Sequence, residues 1–201
     1  MSVQQARFRP QRGTTEQVLA FTPHVEAGFE KKLKTGAILI DLSAVYDTVW
    51  TGGLMLKVTN LIPCKKILKI LSVMTGFKQF HVMLRGEKSK TRKIRKGMPQ
   101  GSVVAPTLFN FYISDMSETN SQLAYADDWV LTHQSKEWTE IEDTLSKDTT
   151  ALKGYFDTWY LKMKTTKSVS TTFHLNNHEA LKTLIFKVKN KILPSNPSPK
   201  Y

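Results

Sequence analysis

The sequence predicts an α+β fold: an antiparallel sheet with helices packed on one face. Three observations predict it. Apolar runs of strand length, such as Gly36-Ala-Ile-Leu-Ile40, stop at polar residues or turn formers. Longer stretches repeat apolar residues at helical spacing. With 201 residues, 40% hydrophobic and 23% charged, the chain has a globular composition and enough length for one domain with a real core.

The elements follow in order. Gly36 to Ile40 reads as a buried strand that delivers Asp41, and Trp50-Thr-Gly-Gly-Leu54 marks a turn. Pro63 stands where a helix can begin, and Ile67, Ile70, Leu71 and Met74 follow at helical spacing. Lys65, Lys66 and Lys69 fall mostly off that stripe. Phe77 to Leu84 and Lys90 to Arg95 read as strands around an Arg85-Gly86-Glu87 turn. Gly97-Met-Pro-Gln-Gly101 is a breaker cluster, and Pro106 suits the first turn of a helix through Met116. Leu123-Ala-Tyr-Ala-Asp-Asp-Trp-Val-Leu131 is an apolar hairpin with an acidic pair at its tip, where Asp favours a turn over a strand. Ile141, Leu145, Leu152, Phe156 and Trp159 mark a long amphipathic helix from Glu137 to Leu161. Val169 to Leu175 and Leu184 to Val188 suit later strands, and Asn196-Pro-Ser-Pro-Lys-Tyr201 reads as a chain cut in the middle of something.

Composition narrows the function. No apolar run reaches the roughly 18 residues needed to cross a bilayer, and the first ten residues are not a secretory signal, so an intracellular protein is expected, with no membrane partner. Cys64 is the only cysteine, which excludes an intrachain disulfide and a cysteine-based zinc site. Net charge is +12, unevenly spread. Lys57 to Lys96 holds twelve Lys/Arg against one acid, Glu87, a balance of +11. Asp115 to Asp157 holds ten acids against three lysines, a balance of −7. A basic block beside an acidic block suits a polyanion held next to a metal site.

Three pieces carry the chemistry. Asp41 ends an apolar strand, a place also suited to a helix cap. Gly97-Met-Pro-Gln-Gly-Ser102 offers backbone amides just before a helix, where phosphate can sit. Asp127-Asp128 offers paired carboxylates, although Asp-Asp is also a common solvated turn. If their strands are neighbours, Asp41 and Asp127 reach the same divalent cations, as two-metal phosphoryl transfer requires.

These blocks carry a specific resemblance. Asp41-Leu-Ser-Ala-Val-Tyr-Asp-Thr-Val-Trp50, Gly97-Met-Pro-Gln-Gly-Ser-Val-Val-Ala-Pro-Thr-Leu-Phe-Asn-Phe-Tyr-Ile-Ser-Asp115 and Tyr125-Ala-Asp-Asp128 resemble the reverse transcriptases of non-LTR retrotransposons, of a jockey-like lineage. Arg9-Pro-Gln-Arg-Gly-Thr-Thr-Glu-Gln-Val18 is similar to the preceding block and Trp159-Tyr-Leu-Lys-Met-Lys-Thr-Thr-Lys167 to the following one. The order matches over almost the whole chain.

The resemblance implies a right-hand polymerase palm with partial fingers and no thumb. Residues 1–36 would be residual fingers and 37–175 the palm, with a basic insert around 57–96. Residues 176–201 would lead toward the primer grip. It implies two Mg²⁺ ions, replaceable by Mn²⁺, held by Asp41, Asp127, Asp128 and the Leu42 backbone carbonyl. Tyr46 matches the bulky residue that excludes a ribose 2′-hydroxyl, Gln100 a contact to the incoming nucleotide, and Arg9 a further nucleotide contact. Lys167 matches a lysine that protonates the pyrophosphate leaving group. Lys88, Lys90, Arg92, Lys93, Arg95 and Lys96 would hold the nucleic-acid backbone. The implied partners are an RNA template, a DNA primer and deoxynucleoside triphosphates, with the element's RNA as a ribonucleoprotein. The chain departs from the family pattern at Arg7, where glycine is usual, and at Lys164, where asparagine is usual. Two functions therefore stay open: an active RNA-directed DNA polymerase domain, or an inactive nucleic-acid-binding remnant of one.

Overall fold

The computed structural model describes residues 14–76, 79–98, 101–116, 122–125, 128–175, 183–188 and 191–196. The element order is α1 Thr14–Glu30, β1 Lys34–Asp41, α2 Val45–Thr48, α3 Thr51–Leu61, α4 Lys65–Gly76, β2 Gln79–Phe80, β3 Met83–Leu84, β4 Glu87–Lys88, β5 Arg92–Lys93, α5 Ala105–Tyr112, β6 Gln122–Tyr125, β7 Asp128–Ser135, α6 Trp138–Thr158, β8 Val169–Phe173, β9 Lys187–Val188 and β10 Lys191–Ile192. Helices and antiparallel pairs make an α+β fold. The chain divides into two compact units, one of Ala44–Asp115 with Trp159–Leu161, the other from the remaining segments.

The second unit is built on a four-stranded antiparallel sheet in the order β6-β7-β1-β8. Its central strand β1 is buried over Thr35, Gly36, Ala37 and Ile38, a continuous run rather than an alternating one. Such a run requires cover on both faces. On one face Gly36 lies against Ile141 and Leu145 of α6, and Trp129 meets Phe156 edge-on at 6.1 Å. On the other, Gln134 Nε2 donates to the His24 carbonyl of α1 at 2.5 Å and to Thr35 Oγ1 at 3.1 Å, and Phe21 meets Phe173 at 5.6 Å. Helix cover on one face was expected. Helix α1 supplies the second cover; it escapes the sequence because Pro23 inside it reads as a helix breaker and its apolar stripe is weak.

The first unit packs α3 on α5 and α4 through Leu54, Val58, Leu71, Leu108 and Phe109, all buried. Trp50-Thr-Gly-Gly-Leu54, expected to be a turn, instead opens helix α3. The two glycines serve packing: a Cβ on Gly53 would stand 2.5 Å from the Trp50 ring and 3.0 Å from the Trp159 ring. Helix α4 forms as its spacing predicts, but it buries Leu71 and Thr75 and leaves Ile67, Ile70 and Met74 exposed. The expected strand pair around residue 85 forms two short ladders, β2 with β5 and β3 with β4. Arg85 and Gly86 both take positive φ at the turn between β3 and β4, the geometry that closes a tight hairpin. Helix α5 ends at Tyr112, short of Met116, and Trp159 lies just beyond the end of α6.

Gly36→Val tests the central packing. Valine favours strands, but a Cβ at residue 36 would stand 2.9 Å from Leu184 and closer still to Ile141. The expected outcome in urea denaturation is a loss of about 1–3 kcal/mol from overpacking; unchanged stability would refute the close contact.

Candidate active site

The sheet places two of the expected carboxylate residues together. Strand β1 ends at Asp41, β7 begins at Asp128, and the two are register partners across the β1–β7 ladder. Asp127, Gln100 and Arg9 lie outside the described residues. An antiparallel pair joins the C-terminal end of one strand to the N-terminal start of the other, so two aspartate positions distant in sequence lie at one end of the sheet.

The backbone around Asp41 is pinned by a segment that arrives more than a hundred residues later. Its N–H donates to Ser168 Oγ at 3.2 Å, and its carbonyl accepts from the Lys164 N–H at 2.8 Å. Leu42 bridges Met163, and the Ser43 N–H donates to the Lys162 carbonyl at 2.8 Å. Ser168 is fully buried, and its hydroxyl donates to the Lys164 carbonyl at 3.0 Å. One hydroxyl thus joins the end of β1 to the turn that holds Lys164 and Lys167, whose N–H donates to the Lys164 carbonyl at 3.0 Å. Lys167 itself is exposed. Sequence reasoning missed Ser168; a serine directly after Lys167 at the start of a strand was its only signal.

Hard oxygen donors suit a hard divalent cation. Asp41 and Asp128 share one strand register, and Leu42 follows Asp41 directly, so the residue types and their placement fit such an ion. Among the described residues no group of three or more His, Cys, Asp or Glu gathers in one place.

The other expected residues belong to the first unit. Tyr46 is half-buried, with its ring 5.7 Å from Phe109 of α5. Its carbonyl accepts the Met98 N–H at 2.7 Å, and the Gly97 N–H donates to the Val49 carbonyl at 2.8 Å. The start of the Gly97–Gly101 loop therefore docks on the chain that follows Asp41. Gly97 takes φ +87, and a Cβ there would stand 3.2 Å from the Asp47 carbonyl oxygen, so both backbone freedom and space call for glycine. Lys88, Lys90, Arg92, Lys93, Arg95 and Lys96 are all exposed along the short ladders and the strand exit.

A buried polar cluster in this unit had no sequence signal beyond a lysine in an apolar helix. Lys57 is 5% exposed; its ammonium donates to the Tyr112 carbonyl and to Asp115 Oδ1, both at 2.5 Å, and sits 3.5 Å from the Trp159 ring centroid. Burial pushes the Lys57 amine below its ordinary value, while Asp115 opposes that shift. The Tyr112 hydroxyl, fully buried, donates to the Trp159 carbonyl at 2.5 Å and accepts the Trp50 N–H at 3.4 Å. Burial is the main cause that pushes this phenol up to about 12.

Residues 1–191 match the family model described as reverse transcriptase (RNA-dependent DNA polymerase). The chain is 31% identical over 178 residues to the probable RNA-directed DNA polymerase from transposon BS of Drosophila melanogaster, covering 84% of this chain and 20% of that protein. It is 32% identical over 179 residues to the RNA-directed DNA polymerase from mobile element jockey of the same species, covering 83% and 19%. The chain thus spans about a fifth of the length of these relatives. In fold, it is similar to apo telomerase from Candida tropicalis, with a TM-score of 0.60 at 13% identity over 88% of this chain and 34% of that one.

Tyr112→Phe removes the bridge between Trp50 and Trp159. At neutral pH the expected loss is about 1–3 kcal/mol from the unpaired buried groups. The folded-state phenol is raised to about 12 against an ordinary 10.0, so its contribution is complete below pH 10 and is lost as pH rises through about 12. Urea denaturation at several pH values should show wild type and variant converging across that window; a constant difference would refute the shift.

Proposed function

The chain belongs to the reverse transcriptase (RNA-dependent DNA polymerase) family, and on that footing we propose that it is the polymerase domain of a jockey-like non-LTR retrotransposon, copying an RNA template into DNA. The observation that carries this is the Asp41–Asp128 register at the end of adjacent central strands, with the Asp127 block between them in sequence.

The reaction is attack of a primer 3′-hydroxyl on the α-phosphorus of a deoxynucleoside triphosphate. The new oxygen–phosphorus bond forms as the bond to pyrophosphate breaks. Positioning and electrostatics do most of such work, so carboxylates, cations and a basic cradle suffice. Members of the family use divalent metal ions, which we take to be two Mg²⁺, with Mn²⁺ as a substitute. Asp41, Asp127, Asp128 and the Leu42 carbonyl would hold them; bound there, the ions steady charge on the attacking and leaving oxygens. Lys167, exposed on the turn tied to Asp41, protonates the departing pyrophosphate. Gln100 and Arg9 contact the incoming nucleotide. Tyr46 excludes a ribose 2′-hydroxyl, and its packing on Phe109 gives the ring a firm backing.

Residues 37–175 act as the palm. The exposed Lys88, Lys90, Arg92, Lys93, Arg95 and Lys96 hold the backbone of template and primer, with affinity that falls steeply as salt rises. The working particle is a ribonucleoprotein with the element's own RNA, inside the cell. No helix among the described residues is long and apolar enough to cross a membrane.

Primer extension on an RNA template with Mg²⁺ or Mn²⁺ decides between polymerase and remnant. Wild type should incorporate deoxynucleotides, and Asp127→Asn should lower incorporation by about 100-fold or more while hybrid binding persists. Binding without any incorporation by wild type would identify the remnant. Tyr46→Ala should raise ribonucleotide relative to deoxyribonucleotide incorporation about tenfold, the scale of a lost steric barrier; an unchanged ratio would remove Tyr46 from that role.

A further inference from the structure

The first unit carries two exposed aromatic rings, unused by the catalytic reading, beside Lys96 of the basic surface. Trp50 is 39% exposed and Tyr160 is 51% exposed. They meet edge to face, with centroids 5.6 Å apart and planes at 72°. The Lys96 ammonium stands 4.9 Å from the Tyr160 centroid, and Lys96 forms a β-bridge with Trp50. Thr51 Oγ1 donates to the Arg95 carbonyl at 3.0 Å, which ties the basic strand exit to the same corner.

Two features set this patch apart from loose surface aromatics. Its base is rigid: the Tyr112 hydroxyl joins the Trp50 N–H to the Trp159 carbonyl, and Lys57 lies against the Trp159 ring. Tyr160 also holds a φ of +57, a left-handed conformation just past a helix end, where glycine is the favoured residue. A tyrosine there carries a backbone cost that glycine avoids and leaves half its ring in water, so its side chain, rather than its backbone, accounts for its place.

We propose that Trp50, Tyr160 and Lys96 form a base-stacking platform for single-stranded nucleic acid, with the rings taking bases and Lys96 and Arg95 the linking phosphates. The proposal rests on the reading of the chain as a nucleic-acid polymerase. Aromatic faces beside cations are the recurring means of holding single strands without sequence preference.

The test is fluorescence anisotropy with a labelled single-stranded RNA about 12 nucleotides long, a length that fills a typical single-strand site. Tyr160→Gly suits it, because glycine relieves the positive φ and the fold should keep or raise its thermal midpoint. The expected result is about a tenfold or larger loss of single-strand affinity in Tyr160→Gly and in Trp50→Ala, with Tyr160→Phe binding like wild type. Equal binding by Tyr160→Gly and wild type, or no single-strand binding by wild type, overturns the platform. The two readings fail separately. Nucleotide incorporation by wild type together with unaltered binding in Tyr160→Gly sinks the platform alone. Single-strand binding lost in Tyr160→Gly, with no incorporation by wild type, sinks the polymerase reading alone.

Discussion

Strand β1 has to satisfy both of its edges and both of its faces, and the second unit is arranged around that requirement. Its backbone pairs with β7 on one side and β8 on the other, while α6 and α1 cover its faces. Ile38 and Ile40 are fully buried, and a carboxylate among them would have to shed its water. Asp41, at the end of β1, is half-buried, so its oxygens can reach solvent or a cation.

The first unit solves a different problem, that of a buried ammonium. Lys57 is tolerable because a carboxylate, a carbonyl and an aromatic face share its charge. The same contacts hold Trp159 in place, and Trp159 together with Trp50 explains why α3 begins with two glycines. A tyrosine hydroxyl then closes the arrangement by serving the Trp50 N–H as acceptor and the Trp159 carbonyl as donor. Each member is a poor choice taken singly, and each is accounted for by the others.

The basic surface and the aromatic corner share one region of sequence but differ in physics. The ladders from Gln79 to Lys93 are short and exposed, with charge but little packing. The corner at Trp50 and Tyr160 is backed by the Lys57–Tyr112 network. Charge alone attracts a polyanion and lets it slide, whereas a rigid stacking surface can hold a base in one place.

Local pattern made a good part of this molecule legible. The apolar run before Asp41, the spacing in α4 and α6, the glycine cluster before α5 and the acidic pair after β6 are all visible in the chain, because burial of one face leaves a period in the sequence. The order of the blocks pointed to the reverse transcriptase family. Pattern failed where a residue's reason lies far away along the chain. Gly52 and Gly53 look like a turn until the Trp50 and Trp159 rings occupy the missing Cβ space. Lys57 looks like surface until α5 brings Tyr112 and Asp115 to it. Ser168 looks like an ordinary polar residue until its hydroxyl takes the N–H of Asp41, 127 positions earlier. The sequence by itself determined which residues could carry the chemistry. Only the tertiary structure decided that Asp41 and Asp128 share a register and which hydroxyl holds the Asp41 backbone, because those choices depend on strand pairing and close packing, which leave no local period.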